Sequence, residues 1–257
     1  MKFIRTREEV KRILGVIAKP KFLNCEMLAA AFKTTPEFVQ EVLPPPLKPA
    51  AEPLGTLLVG AWGKSNSVGP FRGAALYVRA VYEDIEGDYC LTMPMNTDTA
   101  ILFGRETMGE PKKQAQTDIV SVGRKVIGTV QRHGIEVMRV TATPTGPADP
   151  QDLSSFINFH FKYTFAADGS GLDHDPLLVH VLFSNVVEEA YACDVELALT
   201  RTDNDVYGEI PVLEMLQCWY TPKVDMHAES KYLTTVDKEA FLPYAFFKID
   251  PYDDYSR

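Results

Sequence analysis

Three runs rich in β-branched residues, Gln114 to Val122, Lys125 to Gln131 and Ile135 to Thr143, are separated by Gly123-Arg124 and by His133-Gly134. Val, Ile and Thr at this density predict strands, and short glycine-containing connections predict hairpin turns. Connections this short join antiparallel neighbours, because a parallel pair needs a crossover of a dozen or more residues. The pattern extends outward in both directions. Upstream, Leu54 to Trp62, Ala74 to Glu83, Tyr89 to Met95 and Thr99 to Gly104 read as strands. Downstream, Asn158 to Phe165, Leu177 to Ser184 and Cys193 to Thr200 do the same, and Pro211 to Cys218 suits either a strand or a helix.

Helices are few. Arg7 to Val16 carries apolar residues at helical spacing behind a Thr6 cap, and predicts a short amphipathic helix on an N-terminal extension over 1–20. After a strand at Leu28 to Phe32, Thr35-Pro36-Glu37 opens a second helix that Pro44-Pro45-Pro46 must end. Pro144 to Leu153 is a turn-rich loop and a candidate boundary between halves, while Lys238 to Asp250 has an apolar body. No repeat or regular helical crossover interrupts this order. The expected class is α+β, mainly antiparallel β, in one domain over 1–257.

Composition narrows the function. The chain has 257 residues, 46% apolar and 24% charged, enough for a substantial core. A net charge of -9 argues against nucleic acid or an anionic membrane as partner. Cys25, Cys90, Cys193 and Cys218 are scattered, with no CxxC pair and no Cys/His spacing for a metal, so free thiols are expected. Neither a signal peptide nor an apolar run approaching a membrane span is visible, and a cytoplasmic location is expected. No cofactor and no metal are expected.

The chemistry concentrates in Gly104-Arg105-Glu106-Thr107-Met108-Gly109-Glu110-Pro111-Lys112-Lys113. Most Lys-Lys pairs are solvated surface charge. Here Pro111 fixes one backbone torsion and restricts Glu110, and Gly109 permits a tight approach, so Lys112 is presented stiffly. Adjacent ammonium groups disfavour each other's protonated form, and burial acts in the same direction. A neutral amine attacks a ketone and forms a Schiff base.

Gly-Arg-Glu, a short spacer and Pro-Lys-Lys resemble the active-site signature of the acetoacetate decarboxylase-like superfamily, whose decarboxylase is the known instance of a lysine activated by a neighbouring cation. The resemblance extends to Phe32-Lys33-Thr34-Thr35, Val42-Leu43-Pro44-Pro45-Pro46-Leu47, Glu86-Gly87-Asp88-Tyr89, Asn158-Phe159-His160-Phe161-Lys162 and Asp168-Gly169-Ser170. It implies a cone-like antiparallel β-barrel, with sheets around a central cavity, in a homo-oligomer. It also implies Lys112 as nucleophile, Lys113 as the residue that lowers the proton affinity of Lys112, and Glu106 as orienting group, acid or base. Two positions depart from the family pattern. Cys25 aligns with a decarboxylase arginine and Gly73 with a glutamate, so a carboxylate-orienting cation and a catalytic acid are both missing. Arg72 is a candidate replacement for the carboxylate contact, and Phe71 and Met108 are candidate substrate-contacting residues beside Cys25 and Gly73. An acid or base hydroxyl is sought among Tyr82, Tyr89, Tyr244 and Tyr252, while His133 and His160 read as structural.

The resulting expectation is a lyase that forms a lysine Schiff base with a small keto acid and decarboxylates an acetoacetate-like β-keto acid. The alternatives are a pyruvate aldolase-dehydratase using the same imine and a non-catalytic ligand-binding barrel. An assembly protein that uses the N-terminal helix is a third.

Overall fold

The structure, a computed structural model, describes residues 3–250. Its elements in chain order are α1 (Arg7–Ala18), β1 (Lys21–Lys33), α2 (Pro36–Val42), β2 (Lys48–Pro49), β3 (Leu54–Ser65), β4 (Phe71–Tyr82), β5 (Ile85–Met95), α3 (Asp98–Thr107) and β6 (Lys112–Gln114). There follow β7 (Gln116–Val122), β8 (Lys125–Arg132), β9 (Ile135–Pro147), β10 (Ser155–Lys162), β11 (Leu177–Leu199), β12 (Glu214–Thr235) and α4 (Lys238–Phe241). Single 3₁₀ turns occupy Pro150–Leu153 and Tyr207–Glu209, and a longer one, Leu242–Lys248, ends the described chain.

Seven strands, β10-β5-β4-β3-β1-β12-β11, form a closed barrel, because β11 pairs back onto β10. Closure removes the free edges that an open sheet would expose. The far half of β11 leaves the barrel and pairs with β9, which leads through β8 to β7. Every pairing is antiparallel except β5 with β10 and β5 with β6. The β8–β9 hairpin turns on His133 (φ 49°) and Gly134 (φ 79°), two successive left-handed residues that match the twist of the flanking strands.

The barrel wall is apolar on both faces, which explains why β4 reads as a nearly continuous apolar run. Ala74, Leu76, Val78 and Ala80 join an outer core beneath β7, β8 and β9, while Phe71, Ala75 and Tyr77 join the barrel interior. Leu28 and Phe32 of β1 and Leu57 and Val59 of β3 also belong to the outer core, with Cys25, Met27 and Trp62 on the inside. This alternation is the two-residue period of a strand sorted into two cores. Removing a side chain such as the fully buried Phe32 would cost about 3–5 kcal/mol.

Two expectations need correction. Thr99 to Gly104 is the body of α3 and has no strand character. Thr97 caps the helix by accepting from the Ala100 N–H at 3.4 Å. Ala100 and Gly104, four residues apart, are buried while Leu102 between them is exposed, which is helical spacing that a short apolar run conceals. The second correction concerns Leu177 to Ser184 and Cys193 to Thr200, which are two ends of one 23-residue strand, β11. Its polar middle lies where the strand passes from the barrel to the β9 sheet.

Among the described residues, no helix is long and apolar enough to cross a membrane. α1 begins with a capping box, in which Thr6 Oγ1 accepts from the Glu9 N–H at 3.2 Å and the Glu9 carboxylate accepts from the Thr6 N–H at 2.8 Å. None of its residues is buried.

Candidate active site

The local geometry starts at the end of α3. The Gly104 carbonyl accepts from both the Met108 N–H (3.1 Å) and the Glu110 N–H (3.2 Å), and Gly109 takes a left-handed φ of 76°. A side chain at Gly109 would run into the β10 backbone at Phe161 and Lys162, so only glycine lets the turn press against that strand. Pro111 then leads into β6, with its carbonyl accepting from the Met93 N–H at 3.2 Å. The helix end and the parallel β5–β6 pairing therefore fix the direction in which residues 110, 112 and 113 point.

Lys112 projects into a cavity inside the barrel that encloses about 610 Å³, its open mouth included. Phe22, Trp62, Phe71, Met93, Met108 and Phe183 make much of the wall. Glu110 and Lys112 are the only charged residues lining it among those described. Glu110 Oε2 lies 2.7 Å from Lys112 Nζ, and both side chains are at least nine-tenths buried, at 6% and 8% exposure. The ammonium also sits 5.8 Å from the centre of the Phe71 ring, which stacks on Trp62 at 4.6 Å. Burial would lift the Glu110 carboxyl, but Lys112, His160, the Lys112 hydrogen bond and Lys248 together hold it below the usual carboxylate range. Gly104 provides the room for this pair, since a Cβ there would fall on the Glu110 carboxylate and the Lys112 amine.

Lys113, one residue further along β6, points to the opposite side. Its Nζ meets Asp205 Oδ1 at 3.2 Å and Asp250 Oδ1 at 3.0 Å. Arg132 binds the same two carboxylates, through Nε to Asp205 at 2.9 Å and through Nη2 to Asp250. Burial would raise the Asp250 carboxyl, but Lys113, Arg132 and His133 hold it below the ordinary value. Two cations face two carboxylates, so the charge of Lys113 is met where it stands. The expectation that Lys113 acts on Lys112 as a bare neighbouring cation does not suit this arrangement.

The other expected site residues divide. Phe71 and Met108 line the cavity. Cys25 is fully buried in the surrounding apolar cluster, with burial pushing its thiol up to about 12, and Gly73 is occupied from the side by Met95. Arg72 is exposed and faces Asp118 at 3.5 Å, so it does not line the cavity. Glu106 is exposed on α3, away from the lysine, because it lies six residues back on a helix while Glu110 lies two back in an extended segment. Arg105 ties down the C-terminal 3₁₀ turn, donating from Nη1 to the Lys248 carbonyl at 3.0 Å.

Several buried polar groups were not singled out by the sequence. Glu110 was legible from spacing, since residues i and i+2 of an extended chain share a face. Tyr77 lines the cavity, and its hydroxyl accepts from Asn158 Nδ2 at 3.3 Å. Tyr89 and Tyr244 instead line a second, smaller cavity, together with His160 and Lys248. Tyr252 lies outside the described residues. Among the described residues, no group of three or more His, Cys, Asp or Glu is placed to hold a metal ion.

Comparison with known proteins agrees with this architecture. The chain is 25% identical over 263 residues to a CLA biosynthesis isomerase from Lactiplantibacillus plantarum, covering 94% of this chain and 92% of the relative. It is 27% identical over 202 residues to acetoacetate decarboxylase 3 from Mesorhizobium japonicum, covering 76% and 77% of the two chains. A crystal structure of acetoacetate decarboxylase from Legionella pneumophila superposes with a TM-score of 0.79 at 20% identity, covering 84% of this chain and 87% of that one. The family model described as Acetoacetate decarboxylase (ADC) matches residues 6–234, from the cap of α1 almost to the end of β12. With its closed barrel and its Pro-Lys-Lys strand directed into the cavity, the chain belongs to the acetoacetate decarboxylase family.

Proposed function

We propose that this chain is a Schiff-base lyase in which Lys112 condenses with the carbonyl of a β-keto acid bearing an apolar substituent and releases carbon dioxide. The observation that carries this reading is a single amine in an apolar cavity with one carboxylate 2.7 Å away. For attack, Lys112 must pass a proton to Glu110, an uphill transfer from the resting ion pair that leaves a neutral amine and a carboxylic acid. The amine attacks the ketone carbon, and the carbinolamine loses water with Glu110 returning the proton, leaving an iminium beside a carboxylate. The electrons of the C–C bond to the substrate carboxylate then flow into the iminium, carbon dioxide leaves, and an enamine remains. Protonation at carbon and hydrolysis free the ketone and the lysine.

Charge balance supports decarboxylation over aldol chemistry with pyruvate. Once the iminium forms, it and Glu110 neutralise each other. A substrate carboxylate is then an unpaired anion in an apolar wall, which is costly to keep and is relieved when carbon dioxide departs. A pyruvate carboxylate would stay in place through every step, with no further lining cation among the described residues to receive it. The same balance favours a second reading, in which a neutral unsaturated ketone, as its Lys112 iminium, gives up an α-proton to Glu110 and takes it back at the far end of the conjugated double bond. The full-length similarity to an isomerase supports that variant.

Borohydride trapping tests the common step. The protein would be incubated separately with acetoacetate, with a 3-oxo acid of longer alkyl chain and with a neutral ketone, then reduced and mapped by mass. An adduct on Lys112, absent in Lys112→Ala, is expected, with carbon dioxide released from the 3-oxo acids and faster from the longer one. No adduct with any of the three would leave a ligand-binding barrel. Trapping of the neutral ketone without carbon dioxide release from either acid would select the proton-transfer variant.

A further inference from the structure

A decarboxylation of the kind proposed above consumes one proton per turnover, because a C–C bond is replaced by a C–H bond. A path to Glu110 that does not cross the barrel cavity would supply this proton while substrate is bound. A second cavity lies behind the carboxylate. Glu110 lines the barrel cavity, but its chain neighbours Gly109 and Pro111 line the second cavity, a narrow space with room for about one water molecule. Residues 109–111 are therefore the partition between the two spaces.

The second cavity also holds an unexplained group. His160 is 1% exposed, and among the described residues neither ring nitrogen has a hydrogen-bond partner. A buried imidazole with two orphaned nitrogens is costly unless water or a ligand satisfies it. Lys248 shares the space, donating to the Phe161 carbonyl at 3.1 Å with its ammonium 3.9 Å from the centre of the Tyr163 ring. Cys90, from β5, lines it too.

We propose that this second cavity is a water-holding proton-exchange chamber, and that His160 is the positioning residue that relays protons between its water and Glu110. The proposal rests on the Schiff-base reading. In the relay, one ring nitrogen accepts a solvent proton passed on through the cavity water while the other gives its proton to Glu110, directly or through water, so no net charge stays on the ring, and a ring flip restores the starting tautomer before the next turnover. Its resting state suits that role. Burial pushes His160 down to about 4; Glu110 opposes this, and Lys112 and Lys248 reinforce it, so the ring is neutral at neutral pH.

The test uses the whole protein and a neutral ketone in D₂O, with α-deuterium exchange followed by NMR and Lys112 adduct formation followed by borohydride trapping. His160→Gln should lower exchange at least about 100-fold, the low end of what a proton-transfer residue contributes. Trapping should stay within about twofold, and added 4-methylimidazole should restore part of the lost exchange. His160→Asn repeats the test with a smaller side chain should the first variant be misfolded by circular dichroism. Exchange at the wild-type rate, or exchange and trapping that fall together without imidazole rescue, overturns the relay. Absence of an adduct in the wild-type protein overturns the Schiff-base reading itself, a result the relay variants cannot produce.

Discussion

Lys112 and Lys113 are adjacent in sequence, identical in chemistry and equally buried, yet they occupy opposite electrostatic worlds. Lys112 has one carboxylate and a wall of aromatic and methionine side chains. Lys113 has two carboxylates and shares them with Arg132. An ion pair in an apolar cavity can be neutralised by moving one proton, which leaves a nucleophile. A four-group network has no comparably simple neutral state, and it holds distant parts of the chain together: β6, β8, the loop at Asp205 and the C-terminal segment at Asp250. The comparison teaches that a strand, by alternating its side chains, separates an amine facing an apolar cavity from one held in an ion-pair network within a single dipeptide.

The largest expected effect breaks the reactive side. Glu110→Gln keeps the shape of the side chain but removes the base, and turnover of a trapped substrate should fall on the order of 10²–10⁴-fold. Glu106→Gln, on the exposed face of α3, should leave turnover within about twofold, the usual consequence of a surface change. Equal losses in both variants would erase the distinction drawn between the two glutamates.

Breaking the structural side should appear as lost stability. Asp205→Asn leaves Lys113 and Arg132 buried with half of their countercharge, a change that costs about 3–5 kcal/mol. For a chain of this size that lowers the melting temperature by roughly 6–20 °C. Lys113→Ala should likewise lower the melting temperature while leaving the pH dependence of Lys112 trapping in place. A displaced trapping profile with unchanged stability would restore the like-charge mechanism read from the sequence.

Acid titration of stability sharpens the comparison on the reactive side. His160 binds its proton near pH 4 when folded, against about 6.5 in an unfolded chain. The unfolded state therefore takes up the proton first as pH falls. This contribution is complete above about 6.5, is lost progressively down to about 4, and amounts to about 3 kcal/mol. Denaturant unfolding at pH 6.5 and pH 4.5 should show a smaller drop in His160→Gln than in the wild-type protein. Equal drops would mean that the imidazole is solvated more freely than its burial indicates.

The smallest effect concerns room for the pair. Gly104→Ala ordinarily gains stability within a helix. Here the added methyl meets the Glu110 carboxylate and the Lys112 amine, so a loss of about 1–3 kcal/mol is expected, together with slower trapping. A stabilised variant with normal trapping would show that the two side chains shift at no cost.

Much of the architecture was open to reading because it follows from local rules. Strands repeat every two residues, and His133-Gly134 supplies the left-handed pair that the β8–β9 hairpin requires. The failures have equally local causes. Thr99 to Gly104 is too short for its period to show, and only the Thr97 cap and the burial of Ala100 and Gly104 identify the helix. Arg72 was a reasonable substitute for a missing cation, but it falls on the outer side of its strand, where Asp118 receives it. Cys25 sits in the apolar shell around the cavity, and the space at Gly73 is taken by Met95.

By itself, the sequence determined the strand-dominated class and the family signature that contains Lys112, because period, turn chemistry and motif are properties of neighbouring residues. Only the tertiary structure decided that Lys113 is held by Asp205 and Asp250, and that His160 and Lys248 stand behind Glu110. The Lys113–Asp250 contact joins residues 137 positions apart. Burial and pairing at such separations are set by barrel closure, which no local pattern encodes.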